Sequence, residues 1–183
     1  FDITESGNVF SMDGSVVYDS DASEFMTVLQ KSQPSVSSLS GILPSYTVFA
    51  ASLPLGGLEA YTDAYDSYLD SRQMLQKNNV AKKSLSGKAG VHPDDLMASI
   101  GVREVAVASF MAGGKLETVN LLRTGKDIPE VLFKGTEGFS KKNYVPAVHS
   151  WPYAGFTASV FGNLFSRKGE TCFTWMNGSV ISG

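Results

Sequence analysis

The chain has 183 residues, of which 43% are hydrophobic and 11% aromatic, a composition typical of a folded globular protein with one ordinary domain. Its formal net charge of −3 argues against nucleic acid as a main partner, because phosphate binding requires clustered positive charge. One cysteine, Cys172, excludes an internal disulfide, and no apolar run approaches the roughly 20 residues that a membrane helix needs.

The beginning of the chain predicts a β-meander followed by one helix. The meander covers residues 1–18, where Asp13-Gly14 is typical of a tight hairpin turn because both turn positions favour positive φ. The helix covers residues 22–31, and Asp21 opens a capping-box pattern just before it.

The rest of the chain is organised around one strand and one helix. Residues 47–53 predict a short buried strand covered on both faces, since apolar and β-branched side chains follow one another without a charge. Gly56 and Gly57 then precede a helix whose apolar stripe steps by three and four residues. That stripe consists of Leu58, Tyr61, Tyr65, Tyr68, Arg72 and Leu75. The opposite side carries acidic side chains that we expect to be solvated, namely Asp63, Asp66 and Asp70.

A lysine-rich stretch follows at residues 77–90. One interpretation is a patch for an anionic partner, and the other, which is favoured, is a solvated mobile loop. Pro93 then begins a short helix, because proline suits a first helical turn, and Gly101 is placed to end it.

Two later hairpins are indicated by alternating apolar runs on either side of a glycine turn. Between them, residues 144–148 predict a short edge strand and residues 156–165 a short helix. The order of elements predicts an α+β fold, in which an antiparallel sheet of hairpins has helices packed on one face. The two hairpins are residues 104–122 about Gly113-Gly114 and residues 171–181 about Asn177-Gly178.

The first and last hairpins resemble each other, because residues 10–17 match residues 173–181 with one extra residue before the turn. This predicts a weak internal repeat of hairpin plus helix, with chance similarity as the alternative. We expect one α+β domain over residues 1–183, with a subdivision into residues 1–41 and 42–183 as the other interpretation. Neither end looks like a natural terminus, so we expect a fragment of a longer protein whose removed part includes an export signal.

The sequence contains few residues that predict a catalytic, metal or cofactor site. No nucleophile, base and orienting group are spaced as a hydrolase requires, and no zinc, redox or dinucleotide pattern is present. We therefore predict no catalytic residue, no metal site and no cofactor. The candidate ligand-binding cluster is His149, Trp151 and Tyr153, whose aromatic rings would suit carbohydrate stacking or a protein interface if they were exposed. If they were buried, they would belong to the core.

The order of features resembles a family of uncharacterised exported proteins and lipoproteins from Bacteroidetes, a domain of unknown function. The resemblance rests on packing signatures, which are Ile42-Leu43-Pro44 before the Thr-Val-Phe strand, the tyrosine-rich helix of residues 61–69, Gly101-Val102-Arg103-Glu104-Val105, Phe161-Gly162-Asn163-Leu164-Phe165 and the Asn177-Gly178 turn. It implies an envelope protein, periplasmic or surface-exposed, that meets the membrane only through a lost N-terminal lipid anchor.

The leading hypothesis is therefore a non-catalytic cell-envelope module that binds or assembles with an unknown protein or glycan partner. The alternative is an enzyme, or a domain that binds a carbohydrate or another small ligand, with its site near His149, Trp151 and Tyr153. A converging pocket at these residues would favour the alternative, whereas a buried Trp151 would favour the module.

Overall fold

The computed structural model describes residues 2–6, 9–13, 15, 17, 24–33, 35–125, 127–134, 139–165 and 169–183. The strands in these residues are β1 (Asp2–Ser6), β2 (Val9–Asp13), β3 (Thr47–Pro54), β4 (Glu104–Ala112), β5 (Lys115–Arg123), β6 (His149–Ser150), β7 (Cys172–Met176) and β8 (Ser179–Ser182). The α-helices are α1 (Phe25–Lys31), α2 (Leu58–Ser71), α3 (Leu75–Ala89), α4 (Pro93–Ser99) and α5 (Phe156–Phe161). Short 3₁₀ turns lie at Leu39–Gly41, Glu130–Phe133, Lys141–Asn143 and Asn163–Phe165.

Six strands form one open sheet in the order β3-β4-β5-β8-β7-β6, and every neighbouring pair is antiparallel. The α+β fold predicted from the sequence is thus confirmed. Both predicted later hairpins are present, as β4–β5 and β7–β8. None of the helices in the described part of the chain has the length and apolar character that crossing a membrane requires.

The two faces of the sheet are covered differently. Val105, Leu122 and Val180 lie side by side across β4, β5 and β8, and they pack into the main core with the helices. Leu121 lies on the opposite face in a smaller cluster that includes Leu39 of the 35–43 segment. The helices therefore occupy one face, and an irregular segment covers part of the other.

The strand β3 does not lie where the sequence predicts. It is an edge strand, and Val48 and Phe49 are 64% and 53% exposed, so the prediction of burial on both faces is wrong. An uncharged apolar run suits an edge and a centre equally well, and only the order of strands decides between them.

The helix α2 confirms the tyrosine stripe, because Tyr61 is fully buried and Tyr65 and Tyr68 pack against the core. The acidic side differs at one position from the prediction. Asp66 is half-buried, and one of its carboxylate oxygens is shielded from solvent, so it is not simply solvated.

The prediction of a mobile loop at residues 77–90 is wrong, because α3 covers almost all of that stretch. Its one buried residue is Lys82, which is 3% exposed. The helix has few apolar residues and its buried residue is a lysine, so the apolar periodicity that usually indicates a helix is weak.

The remaining predictions vary in outcome. The helix α4 begins at Pro93 and ends before Gly101 as expected, and α5 lies inside the predicted short helix. The edge strand expected at residues 144–148 is instead β6, which begins at His149. Gly14 of the predicted hairpin turn and the capping aspartate at position 21 fall outside the described residues, and the internal repeat stays a prediction.

Candidate functional site

A cleft of about 760 Å³ lies at the end of the sheet where β4 begins and β5 ends. The turn between β7 and β8 forms one wall, and the segment that follows α1 forms another. The lining residues are Ser35, Val36, Ser38, Arg103, Glu104, Arg123, Gly125, Asp127, Trp175, Asn177 and Gly178. The volume falls within the range of roughly 300–1,000 Å³ that is usual for small-ligand sites.

Hydrogen bonds hold Arg123 in place at this cleft. Its Nε donates to Ser38 Oγ at 3.1 Å, and its Nη1 donates to Ser179 Oγ at 2.8 Å and to the Asn177 carbonyl oxygen. These partners come from the segment before β3, from β8 and from the β7–β8 turn. The guanidinium is therefore oriented before any ligand arrives, which reduces the entropy lost on binding.

Glu104, the strand partner of Arg123, also lines the cleft, but its carboxylate is engaged by the protein. Glu104 is 2% exposed and accepts hydrogen bonds from the hydroxyl groups of Ser37 and Ser38 and from the Ser38 backbone N–H. The Ser38 hydroxyl donates to Glu104 and accepts from Arg123, so it links the two charged side chains. Because its oxygens are occupied, Glu104 fastens the 35–38 segment to the sheet.

Arg103 is the second cation of the cleft. Its backbone N–H donates to the Arg123 carbonyl oxygen at 2.7 Å, so the two arginines are neighbours at the end of the β4–β5 ladder. The guanidinium lies against Gly125, where an added Cβ would be 3.8 Å from Arg103 Cζ. Arg103 is exposed, and no carboxylate of the described residues forms an ion pair with it. Within the described part of the chain, no acceptor takes its guanidinium N–H groups, so they can donate to a ligand.

A close backbone contact between Gly178 and Gly125 lies at the rim of the cleft. Gly178 has a φ of +71°, and a Cβ placed on it would lie 2.1 Å from the Gly125 carbonyl oxygen. The Thr124 backbone N–H donates to the Gly178 carbonyl oxygen at 2.9 Å. The β7–β8 turn is therefore locked to the end of β5, and only a glycine fits at position 178.

The residues predicted from the sequence, His149, Trp151 and Tyr153, lie near one another, with Trp151 and Tyr153 in the core and His149 half-buried beside them. Trp151 is 4% exposed and Tyr153 9% exposed. The rings of His149 and Trp151 both contact Phe173, with centroid distances of 5.4 and 5.3 Å. Burial raises the pKa of the Tyr153 hydroxyl. The structure thus brings the three together as a packed cluster.

A buried polar group that the sequence did not indicate lies beside Trp151. Glu170, which is 3% exposed, accepts hydrogen bonds from Trp151 Nε1 at 2.9 Å, from the Asn120 side-chain amide and from the Ser182 hydroxyl at 3.4 Å. These donors come from the strands β5 and β8 and from the segment after β6. Burying a carboxylate is costly unless donors surround it, so this group ties Trp151 into the core.

The cleft offers arginine donors that can recognise an anion. Arginine stays protonated at every physiological pH and acts as a fixed fork of donors, which suits carboxylates and other planar anions. Among the described residues, no group of three or more histidine, cysteine, aspartate or glutamate side chains could hold a metal ion.

Sequence reasoning passed over Arg123 and used Arg103 only as part of a packing signature. A signal was present, because a hairpin about Gly113-Gly114 places residues near 103 opposite residues near 123.

Comparison with protein-family models, with curated proteins and with solved structures finds no match to this chain.

Proposed function

We propose that this chain is a non-catalytic binding module of the cell envelope, and that its cleft binds a small ligand through a carboxylate held by Arg103 and Arg123. The observation that carries this proposal is that two arginines line one cleft, Arg123 oriented by three hydrogen bonds and Arg103 without an ion pair among the described residues. The fork of Arg103 suits a planar anion, and Arg123 adds its positive charge and the N–H groups of Nη2, since its Nε and Nη1 already donate within the protein.

The envelope location rests on the family resemblance described above, and the idea of a protein or glycan partner came from the aromatic residues of the sequence. The ligand-binding role rests on the cleft alone, so it does not depend on that resemblance. The alternative, an enzyme or sugar-binding site at His149, Trp151 and Tyr153, would require Trp151 to leave the core and break its hydrogen bond to Glu170. The open cleft needs no such rearrangement.

The experiment is an isothermal calorimetric titration of the full chain with a carboxylate probe. The probe is the N-acetylated tripeptide of alanine with a free carboxyl end, and the control ligand is the same peptide with its carboxyl end amidated. We expect the carboxylate form to bind and the amide not to bind. Arg103→Gln should weaken binding about tenfold, the usual worth of a charge-assisted hydrogen bond.

Arg72 supplies the matched control variant. It is an arginine on the surface, paired with Glu24 at 3.6 Å and not part of the cleft. Arg72→Gln should bind the probe as the unmodified protein does. Equal binding by the carboxylate and the amide, or an equal effect of both arginine substitutions, would refute the proposal.

A further inference from the structure

The cleft carries both signs of charge. Its charged lining residues are two arginines, Arg103 and Arg123, and two acids, Glu104 and Asp127. Glu104 is 2% exposed and its oxygens are already hydrogen-bonded, so it does not face a ligand. Asp127 is therefore the negative group that a ligand in this cleft can reach among the described residues.

Asp127 is held only loosely. Its side chain is 94% exposed, and its Oδ1 lies 3.9 Å from Lys141 Nζ. Lys141 also lies 3.8 Å from Glu130 Oε1, so it keeps a partner when Asp127 turns away. Exposed pairs of this kind contribute little to stability, so the carboxylate of Asp127 can move to a ligand at small cost.

Asp127 lines the same cleft as the two arginines. It follows Gly125, against which the Arg103 guanidinium lies, by two residues. A ligand held at its carboxylate by Arg103 and Arg123 thus has a single available anion further along the same loop. A positively charged group on that ligand would pair with the Asp127 carboxylate.

We infer that the ligand of this cleft is zwitterionic, a short peptide whose carboxyl end lies on the two arginines and whose amino end lies on Asp127. This inference rests on the proposed function. Dianionic phosphates fit less well, because Asp127 would repel the second negative charge. A cleft of about 760 Å³ leaves room for peptide units between the two charged ends.

The test compares two tripeptides of alanine that share a free carboxyl end, one with a free amino end and one N-acetylated. Calorimetry is done at about pH 6.5, where the amino group, with a pKa near 7.7–8.0, is mostly protonated. We expect acetylation to weaken binding to the unmodified protein about threefold, the scale of an exposed ion pair. Asp127→Asn should remove that difference, and it should not weaken binding of the acetylated peptide, because a repelling charge is removed.

Asp70→Asn is the matched control, because Asp70 is an exposed aspartate on α2 outside the cleft, and the threefold preference should persist in it. Equal affinity for both peptides in the unmodified protein would overturn the zwitterion inference while the carboxylate proposal stands. A preference that survives Asp127→Asn would also overturn it, because the amino end would then lie elsewhere. Failure of both peptides to bind would overturn the proposed function itself.

Discussion

Lys82 and Asp94 join α3 to α4, with Lys82 Nζ lying 2.9 Å from Asp94 Oδ1 and 3.0 Å from Oδ2. Lys82 is the one buried residue of α3, and it is 3% exposed. Asp94 also lies 3.5 Å from His92 Nδ1. The helix is therefore docked by a buried charge and its partner, supported by a few partly buried side chains such as Leu85.

Asp94→Asn should destabilise the protein by about 2 kcal/mol, because it leaves the Lys82 ammonium buried without a counter-charge in contact. Urea unfolding followed by circular dichroism measures the change. Asp95→Asn is the control, because Asp95 is the exposed neighbour in the same first helical turn. If both variants were equally stable, the ion pair would not be what docks α3.

Lys82→Met should cost less than Asp94→Asn. Methionine fills a similar volume without a charge, and Asp94, whose side chain is 37% exposed, can be hydrated once its partner is gone. Hydrogen exchange of the α3 backbone amides reports the same effect locally. Faster exchange in Lys82→Met than in Asp94→Asn would contradict this reasoning.

Asp66→Asn should stabilise the protein at pH 7. Burial is the main cause that raises the pKa of Asp66; Asp94 and Asp63 also raise it, while Lys82 lowers it. Its pKa in the folded state is thus above that of the unfolded chain, so the ionised form costs folding free energy at neutral pH. The cost is relieved as the pH falls through the raised pKa.

The advantage of Asp66→Asn should therefore shrink as the pH is lowered from 7 toward about 4, the ordinary pKa of an aspartate. Urea unfolding at a series of pH values measures it. The exposed Asp70→Asn should show no comparable trend. An advantage that grows on acidification would mean that the sign of the shift is reversed.

Trp151→Phe should destabilise the protein by about 1–3 kcal/mol, because the Glu170 carboxylate loses a buried donor. Binding of the alanine peptides should be unchanged, since Trp151 does not line the cleft. Thermal unfolding and calorimetry together check this. A variant with normal stability that lost a ligand, for instance on a glycan array, would instead support the sequence-based site at His149, Trp151 and Tyr153.

Gly178→Ala should destabilise the β7–β8 turn by about 1–3 kcal/mol beyond the cost of its positive φ, because the new Cβ would collide with the Gly125 carbonyl. Gly114→Ala is the control, because Gly114 has a similar φ of +79° and nothing within 4 Å of an added Cβ. Peptide binding should fall only in Gly178→Ala. Equal loss of stability in the two variants would show that the turn can move away from β5.

Some elements were predictable from local pattern. The β4–β5 register follows from the glycine pair at its turn, and α2 follows from tyrosines spaced by three and four residues. In α2 one face is apolar, so the periodicity of burial is present in the residues themselves, whereas β4 is buried at six consecutive positions and its place is indicated by the turn. Those elements are determined by the sequence, since their signal depends only on near neighbours along the chain.

The tertiary structure decided what depends on distant partners. The helix α3 carries no apolar stripe, because its buried residue is Lys82 and the carboxylate that permits this burial lies on α4. An uncharged β3 suits the edge as well as the centre of a sheet. The cleft likewise needs the β7–β8 turn to meet Arg123 and Gly125. The partner of Lys82 is Asp94 of another helix, and the neighbour of Gly178 is the carbonyl of Gly125, more than 50 positions earlier. Such contacts produce no periodic pattern in the local sequence, so only the folded structure reveals them.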